Sequence, residues 1–213
     1  MTVRIIILDF DGVVIESNDV KTYAFHHVFV RFPEHAEAMM AFHHEHVSLS
    51  RFAKFEHLLA LMGRTGDSAL MADIANDFSR RVHDGMMNVS LVPGAENFLR
   101  QVTPRLPVYL VSVTPADELV EILAQRGLTQ WFHDVYGCPP WTKPDAIRDV
   151  LAREGVKPDE VLMIGDSGGD QRAAQMTGVD FLARDSGLRF DTPAPLAFAD
   201  LNEIARYLEE LLP

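Results

Sequence analysis

Residues 3–12 read Val-Arg-Ile-Ile-Ile-Leu-Asp-Phe-Asp-Gly, an apolar and β-branched run that ends in two aspartates and a glycine. Apolar side chains at consecutive positions are typical of a central parallel strand that is covered on both faces. Asp9 and Asp11 are two positions apart, so in an extended chain their side chains point the same way. Two carboxylates this close repel each other unless a hard cation lies between them or one keeps its proton. This stretch therefore predicts a buried first strand with charged chemistry at its carboxyl end.

Further apolar runs follow after residue 90 and alternate with helical patterns. The candidate strands are residues 108–113, 134–137, 161–164 and 179–183. Thr114 and Pro115 are the N-cap and first position expected of one helix, residues 144–153 form another, and apolar positions from Leu201 to Leu211 mark the last. Strands that alternate with helices predict an α/β fold with a Rossmann-like, mostly parallel sheet.

Residues 17–88 differ from the rest of the chain, because they contain no convincing strand and give amphipathic helical patterns instead. Apolar residues at helical spacing, such as Phe25 with Phe29, indicate that these helices have a core of their own. We therefore expect an all-helical domain at residues 17–88, inserted into an α/β core domain that is made of residues 1–16 and 89–213.

Composition argues against several classes of partner. The 213 residues carry a formal net charge of −12, which disfavours nucleic acid because affinity for a polyanion comes from clustered Lys and Arg. No apolar run approaches the roughly 20 residues that a membrane-spanning helix needs. Cys138 is the single cysteine, which suits a reducing compartment, and the first ten residues do not resemble an export signal. We expect a cytoplasmic protein; these patterns do not encode an oligomeric state.

Polar residues close three of the predicted strands. Asp9 and Asp11 end the first, Ser112 lies at the end of the second, and Asp166 follows the apolar run at 161–164. In an open α/β sheet the carboxyl ends of the strands form the ligand crevice, so we expect these four side chains to converge. Because several carboxylates meet there, the site also needs positive charge from a cation or a basic side chain.

Two more residues complete a pattern that resembles a known family. Asp170 lies one helical turn beyond Asp166, after a flexible glycine pair, and Lys143 follows a short predicted strand. In this order and spacing the segments resemble the haloacid dehalogenase superfamily, in particular its phosphoglycolate phosphatase-like and β-phosphoglucomutase-like branch. The matching residues are Asp9, Asp11, Gly12 and Val13, then Ser112, then Lys143 and Pro144, and finally Gly165, Asp166, Ser167 and Asp170. The resemblance implies a Rossmann-like core with an inserted all-helical cap at residues 17–88.

The resemblance also implies roles for the catalytic residues. Asp9 would attack phosphorus and form an aspartyl-phosphate. Asp11 would give a proton to the leaving oxygen and later take one from the attacking water. Ser112 would hydrogen-bond a phosphoryl oxygen, and Lys143 would neutralise charge as the transition state forms.

A magnesium ion is implied by the same resemblance. The carboxylates of Asp9 and Asp166 and the main-chain carbonyl of Asp11 would hold Mg²⁺, which prefers oxygen ligands and keeps room for water and phosphate. Asp170 would support the metal or orient Lys143.

The phosphate-binding loop departs from the family in one respect. The family often has Asn or Gly after the position of Ser112, whereas this chain has Val113. We expect Thr114 to supply the missing donor, together with Gly12, whose permissive backbone allows a tight turn beside the substrate.

The predicted cap contains two candidate substrate contacts. Arg51 and Lys54 are three residues apart, so on a helix they share a face and would reach an anionic or polyhydroxylated substrate. The alternative is a solvated basic edge. The cap is also rich in histidine, and His43 and His46 would share a helical face. Because no cysteine or carboxylate pattern accompanies them, we expect surface histidines or a polar lining of the cap rather than the alternative of a transition-metal site.

These observations predict an enzyme, a hydrolase of phosphoric monoesters. The resembling phosphatases and phosphomutases carry an aspartate two residues after the nucleophile, as Asp11 is here. We expect an Mg²⁺-dependent phosphatase that acts on a small phosphorylated metabolite, such as a sugar phosphate or a phosphoglycolate-like compound. Two alternatives remain, a phosphomutase of the β-phosphoglucomutase type and a binding module that keeps the fold without catalysis.

Overall fold

The computed structural model describes residues 3–190 and 196–209. The chain divides into two compact units, Met1–Glu16 with Ser90–Pro213 and Ser17–Val89, which we call the α/β unit and the helical unit. Within the described residues, no helix combines the length and the apolar character needed to cross a membrane. Leu211, which the sequence places in the last helix, lies outside the described residues.

The α/β unit is built on one parallel sheet. Its strands are β1 Ile5–Leu8, β2 Val108–Ser112, β3 Asp134–Gly137, β4 Val161–Gly165, β5 Asp180–Arg184 and β6 Ala197–Phe198. They are ordered β3-β2-β1-β4-β5-β6, and every described neighbouring pair is parallel. The prediction of a Rossmann-like parallel sheet is therefore confirmed. The two-residue strand β6 was not predicted, because it is too short to show a periodic pattern.

The helical unit contains four helices. They are α1 Asn18–Phe29, α2 Ala36–Glu45, α3 Arg51–Leu61 and α4 Ser68–Met86. As the spacing predicts, Phe25 and Phe29 are buried, and the Phe25 ring lies 5.9 Å from that of Phe55 and 4.4 Å from that of Phe78. The unit therefore has an aromatic core of its own, and such a cluster stabilises by more than its buried area alone.

Five helices flank the sheet in the described part of the α/β unit. They are α5 Ala95–Val102, α6 Ala116–Gln125, α7 Lys143–Glu154, α8 Gly168–Thr177 and α9 Leu201–Leu208. One predicted helix start is wrong by a residue: Pro115, not Thr114, is the N-cap of α6. The Thr114 side chain donates a hydrogen bond to Asp11, in the α/β site far from this helix in sequence. The glycine pair Gly168–Gly169 is also not a flexible loop, because it forms the first turn of α8.

The central strands are covered on both faces. Every residue of β1, β2 and β4 is buried. On one face, Ile7, Tyr109 and Met163 belong to a core that includes Ile147 of α7 and Ala174 of α8. Burying an aliphatic side chain of this size contributes about 1.5–3 kcal/mol, which explains why a short run of consecutive apolar residues is enough to fix a central strand.

Candidate active site

The strand order brings three polar strand ends side by side. Strand β1 lies between β2 and β4, with Leu8 opposite Leu110 on one side and Ile164 on the other. The chain leaves β1 at Asp9, β2 at Ser112 and β4 at Asp166, which are all buried. Sheet topology alone therefore gathers residues that lie far apart in the sequence at one edge, as expected for an open parallel sheet.

Lys143 lies among these carboxylates. Its Nζ is 2.9 Å from Oδ1 of Asp9, and it also donates to Oδ1 of Asp170. The lysine is the first residue of α7, whose N-cap Thr142 accepts a hydrogen bond from the Asp145 N–H. The helix start thus fixes the lysine stem, and the two carboxylates fix its ammonium group.

Asp170 is held from both sides. Its Oδ1 accepts from Lys143, while its Oδ2 accepts from the Ser167 N–H at 3.1 Å and the Ser167 hydroxyl at 2.6 Å. The helix approaches β4 closely here, because a Cβ added at Gly165 would lie only 2.3 Å from the Cβ of Asp170. Sequence reasoning did not assign the Ser167 contact, although a serine three residues before a carboxylate is a known helix-start signal.

The carboxylates include a group suited to a hard cation. One oxygen each from Asp9, Asp166 and Asp170 lies within 4.8 Å of the others, and all three residues are buried. Oxygen donors of this kind fit Mg²⁺. Both oxygens of Asp170 already accept hydrogen bonds from the protein. Asp9 and Asp166 are therefore better suited to bind an ion directly, and Asp170 is better suited to support the site.

Burial and charge act on this cluster in opposite directions. Burial is the largest effect on the pKa of Asp9 and raises it; the Lys143 ammonium lowers it, and the nearby carboxylates, led by Asp170, raise it again. The pKa of Asp9 therefore lies well above its usual range. For Lys143, burial lowers the pKa, but the carboxylates of Asp170 and Asp9 outweigh burial and raise it. The lysine is thus charged, and the carboxylates attract further positive charge.

Asp11 has a different environment from Asp9. The hydroxyls of Ser112 and Thr114 both donate to its Oδ2, each at 3.3 Å. The Thr114 N–H in turn donates to the Ser112 Oγ at 3.1 Å. After Asp11, Gly12 adopts a φ of +70°, a left-handed conformation that glycine takes at little cost. The two hydroxyls thus help to orient the Asp11 carboxylate.

Similarity to known proteins identifies the family to which this site belongs. A family model for haloacid dehalogenase-like hydrolases matches residues 6–184. The chain belongs to this family. That match includes the segments with Asp9, Ser112, Lys143 and Asp166, so the resemblance inferred from the sequence is confirmed, and with it the expectation of a hydrolase.

Curated relatives of this haloacid dehalogenase-like hydrolase point to one branch. The phosphoglycolate phosphatase of Cereibacter sphaeroides is 28% identical over 165 residues, which cover 74% of this chain and 76% of the relative. Across six such phosphatases, the matched regions span between 44% and 76% of the relatives' lengths. These matches support the phosphoglycolate phosphatase-like branch.

Solved structures share the fold over the whole chain. A predicted phosphoglycolate phosphatase from Haemophilus somnus has a TM-score of 0.78 at 15% identity, covering 97% of this chain and 98% of that one. The β-phosphoglucomutase from Clostridium difficile has a TM-score of 0.77 at 14% identity, covering 99% and 97%. At this identity the likeness shows the fold alone.

In the helical unit of this haloacid dehalogenase-like chain, the two candidate substrate contacts, Arg51 and Lys54, are buried. Lys54 is only 1% exposed, and its Nζ lies 3.0 Å from His43 Nδ1, 3.2 Å from the Val47 carbonyl oxygen and 4.6 Å from the centroid of Phe25. Arg51 donates to the Ser79 hydroxyl at 2.7 Å. The alternative of a solvated basic edge is therefore wrong, because α3 packs this face into its own unit.

A metal site at His43 and His46 is also contradicted. The Nδ1 of His43 faces Lys54, and its Nε2 lies 3.1 Å from the Thr22 hydroxyl, so both ring nitrogens have protein partners. The His46 ring packs against Phe42 instead. Among the described residues, the group found suited to a metal ion is the aspartate cluster of the α/β unit.

The buried Lys54 should make the stability of the helical unit depend on pH. Burial is the main cause that lowers its pKa to about 7 from 10.5, so between these values the folded protein binds less than one proton there and the unfolded chain binds one. Stability therefore rises with pH across this window. Relative to Lys54→Met, the wild type should gain on the order of 3 kcal/mol between pH 7 and pH 9.5.

Chemical denaturation of both proteins at several pH values measures this difference. Lys157→Met, which changes an exposed lysine, should show the same pH dependence as the wild type. Parallel curves for wild type and Lys54→Met would contradict the prediction.

Proposed function

We propose that this chain is an Mg²⁺-dependent phosphatase that hydrolyses a small phosphorylated metabolite through a phosphoryl group carried on Asp9. The observation that carries the proposal is the buried contact of Lys143 with Asp9, 2.9 Å long, beside the carboxylates of Asp166 and Asp170. Such a cluster is costly to bury and has an evident use where phosphate charge must be neutralised. A sugar phosphate or a phosphoglycolate-like compound is the leading substrate class.

In the proposed first step, a carboxylate oxygen of Asp9 attacks phosphorus as the bond from phosphorus to the leaving oxygen breaks. Asp11 gives its proton to that oxygen, so that the product leaves as an alcohol. In the second step Asp11 takes a proton from water, the water oxygen attacks phosphorus, and the bond to Asp9 breaks to release phosphate. The hydroxyls of Ser112 and Thr114 on Asp11 support its orientation for both proton transfers.

The metal and the basic residue have distinct parts in this proposal. Asp9, Asp166 and the main-chain carbonyl of Asp11 would hold Mg²⁺, with Asp170 as a support. When bound, the ion would neutralise phosphoryl oxygens and reduce their repulsion of the Asp9 carboxylate. Lys143 adds a fixed positive charge at Asp9, and Asp170 keeps that charge in place.

Other residues would bind the rest of the substrate. The backbone at Gly12 and the residues Ser112 and Thr114 stand beside Asp11 in the α/β unit and would contact the phosphoryl group. We also propose that the helical unit is the family's cap, with Arg51 and Lys54 as candidate contacts for the leaving group. A cytoplasmic location remains a prediction from the sequence.

Phosphate release tests the proposal directly. Purified protein should hydrolyse p-nitrophenyl phosphate and at least one member of a panel of phosphorylated metabolites when Mg²⁺ is present. Removal of the metal with EDTA should abolish turnover, and added Mg²⁺ should restore it. At 100 times its dissociation constant, Mg²⁺ should also raise the free energy of unfolding by about 2.7 kcal/mol. Turnover that is unaffected by EDTA would contradict the proposal.

The same assay separates the phosphomutase alternative, which uses the same core residues. A phosphomutase returns the phosphoryl group to the substrate before water arrives. It would therefore form a phosphate isomer, detectable by ³¹P NMR, with little free phosphate. The non-catalytic alternative predicts neither product.

A further inference from the structure

Arg184 is a buried arginine in the α/β unit that the mechanism above does not use. It is the last residue of β5 and is 7% exposed. Its Nε donates to the Ala199 carbonyl at 3.2 Å, and its Nη1 donates to the Gly12 carbonyl at 3.1 Å. Both Nη atoms also contact the Glu16 carboxylate, at 2.5 and 3.1 Å. One guanidinium group therefore holds both ends of the turn that follows Asp11.

That turn is otherwise a tight loop built around a glycine. The Gly12 N–H donates to the Ile15 carbonyl at 2.8 Å, and the Ile15 N–H donates back to Phe10 at 3.1 Å. The Glu16 N–H also donates to the Ser90 carbonyl at 3.0 Å. The turn is thus held both by the Arg184 side chain and by the main chain at Ser90.

An arginine suits this task for a physical reason. Its planar guanidinium has donors in fixed directions, so it can hold a carbonyl and a carboxylate at once, whereas a lysine offers a point charge on a flexible stem. A buried ion pair by itself adds little net stability, because desolvation offsets the attraction. This pair instead fixes the conformation of the turn at Gly12, because a glycine restricts its own backbone less than any other residue does.

The bond to Gly12 lies one residue from Asp11. The peptide carbonyl that Arg184 holds follows directly on the peptide that carries Asp11, so movement of this turn also moves the Asp11 carboxylate. The carboxylate also accepts hydrogen bonds from the hydroxyls of Ser112 and Thr114, each 3.3 Å long, and both are longer than a typical hydrogen bond between oxygens. A small displacement would therefore misalign the acid with the leaving oxygen.

We propose that Arg184 is a positioning residue for Asp11, and that it sets how well Asp11 protonates the leaving group. This inference rests on the proposed function, in which Asp11 is the general acid. It concerns a residue of β5 that touches neither the metal ligands nor the phosphoryl group.

A series of substrates with different leaving groups tests the proposal. A poor leaving group such as the alkoxide of glycerol phosphate needs a proton, whereas dinitrophenolate leaves without one. For Arg184→Met, we expect kcat/KM to fall about 30-fold with glycerol phosphate and less than about 3-fold with 2,4-dinitrophenyl phosphate. A merely structural role would lower both values by the same factor. Equal losses across the series would overturn the proposal.

Two further variants cover the case in which Arg184→Met does not fold. Glu16→Gln removes the ion pair and leaves the Gly12 contact, so it should show the same dependence on the leaving group with a smaller amplitude. Arg184→Lys should retain part of the activity, because one ammonium can hold only part of the turn. A uniform loss in both variants would overturn the proposal as well.

A matched control and the wild type complete the design. Arg4 pairs with Glu160 at 3.4 Å with its side chain about half exposed, and Arg4→Met should leave the whole series unchanged. If the wild type releases phosphate and requires Asp9, the proposed function stands whatever the Arg184 variants show. If the wild type hydrolyses no member of the series, it is the proposed function that fails.

Discussion

Asp9→Asn should lower phosphate release by at least about 10⁴-fold, since removing the nucleophile of a covalent catalyst can cost about 10⁶ in kcat. The amide is nearly the same size as the carboxylate but cannot form the aspartyl-phosphate. The variant should remain folded, because burial already disfavours the charge at this position. Steady-state release from the best substrate of the panel, with circular dichroism to check folding, measures the effect.

The nucleophile can also be identified by its product. Acid-quenched wild-type protein should carry a phosphoryl group on the peptide that contains Asp9, and the variant should not. Asp159→Asn, which changes an exposed aspartate near the amino end of β4, should keep full activity. Metal-dependent turnover that survives Asp9→Asn would remove the mechanism proposed above.

Lys143→Met should be the most destabilising change in the active-site cluster. In the absence of Mg²⁺, the free energy of unfolding should fall by about 3–5 kcal/mol, because the buried carboxylates of Asp9 and Asp170 lose their shared partner. Turnover should fall by about 10²–10³-fold, the range found when one stabilising donor is removed from a transition state. Denaturant unfolding and steady-state kinetics give the two numbers.

The destabilisation of Lys143→Met should depend on pH with a defined sign. In the wild type the Lys143 ammonium lowers the pKa of Asp9, which burial raises. Without the ammonium, the folded-state pKa of Asp9 rises further above its unfolded value, so the folded variant binds a proton at Asp9 over a wider pH range than the folded wild type. The stability of the variant relative to wild type should therefore improve as the pH falls from about 8 to about 5. Mg²⁺ should restore part of the loss, because it replaces positive charge. The exposed-site variant Lys157→Met should show neither effect; equal stability of Lys143→Met and wild type would contradict the prediction.

Much of the α/β unit follows from local patterns. The buried run of β1 and the turn at Gly12 are encoded in adjacent residues, and the strand-end positions of Ser112 and Asp166 follow from the parallel topology. The family match confirms the class of protein that these positions imply. Sequence reasoning succeeds where each residue's environment is set by its near neighbours and by one general rule of sheet geometry.

The contacts that the sequence did not predict are mostly between side chains distant in the chain. Arg184 meets Gly12 only because β5 lies two strands away from β1, and Lys54 meets His43 only because α2 and α3 pack together. The periodic spacing of apolar residues in a sequence carries no information about such contacts between distant side chains. The helix start at Pro115 was missed for a related reason, since Asp11, far earlier in the chain, engages the Thr114 hydroxyl.

The position of β1 in the sheet has a consequence for biosynthesis. Its neighbours in the sheet begin at Val108 and Val161, so β1 cannot pair with either of them until synthesis has passed Val108. The four helices up to Met86 depend on one another through closer sequence neighbours and are synthesised in that interval. Until translation supplies these two neighbours, the apolar segment of β1 has no partner strand, and unpaired apolar segments of this kind are prone to aggregation during folding.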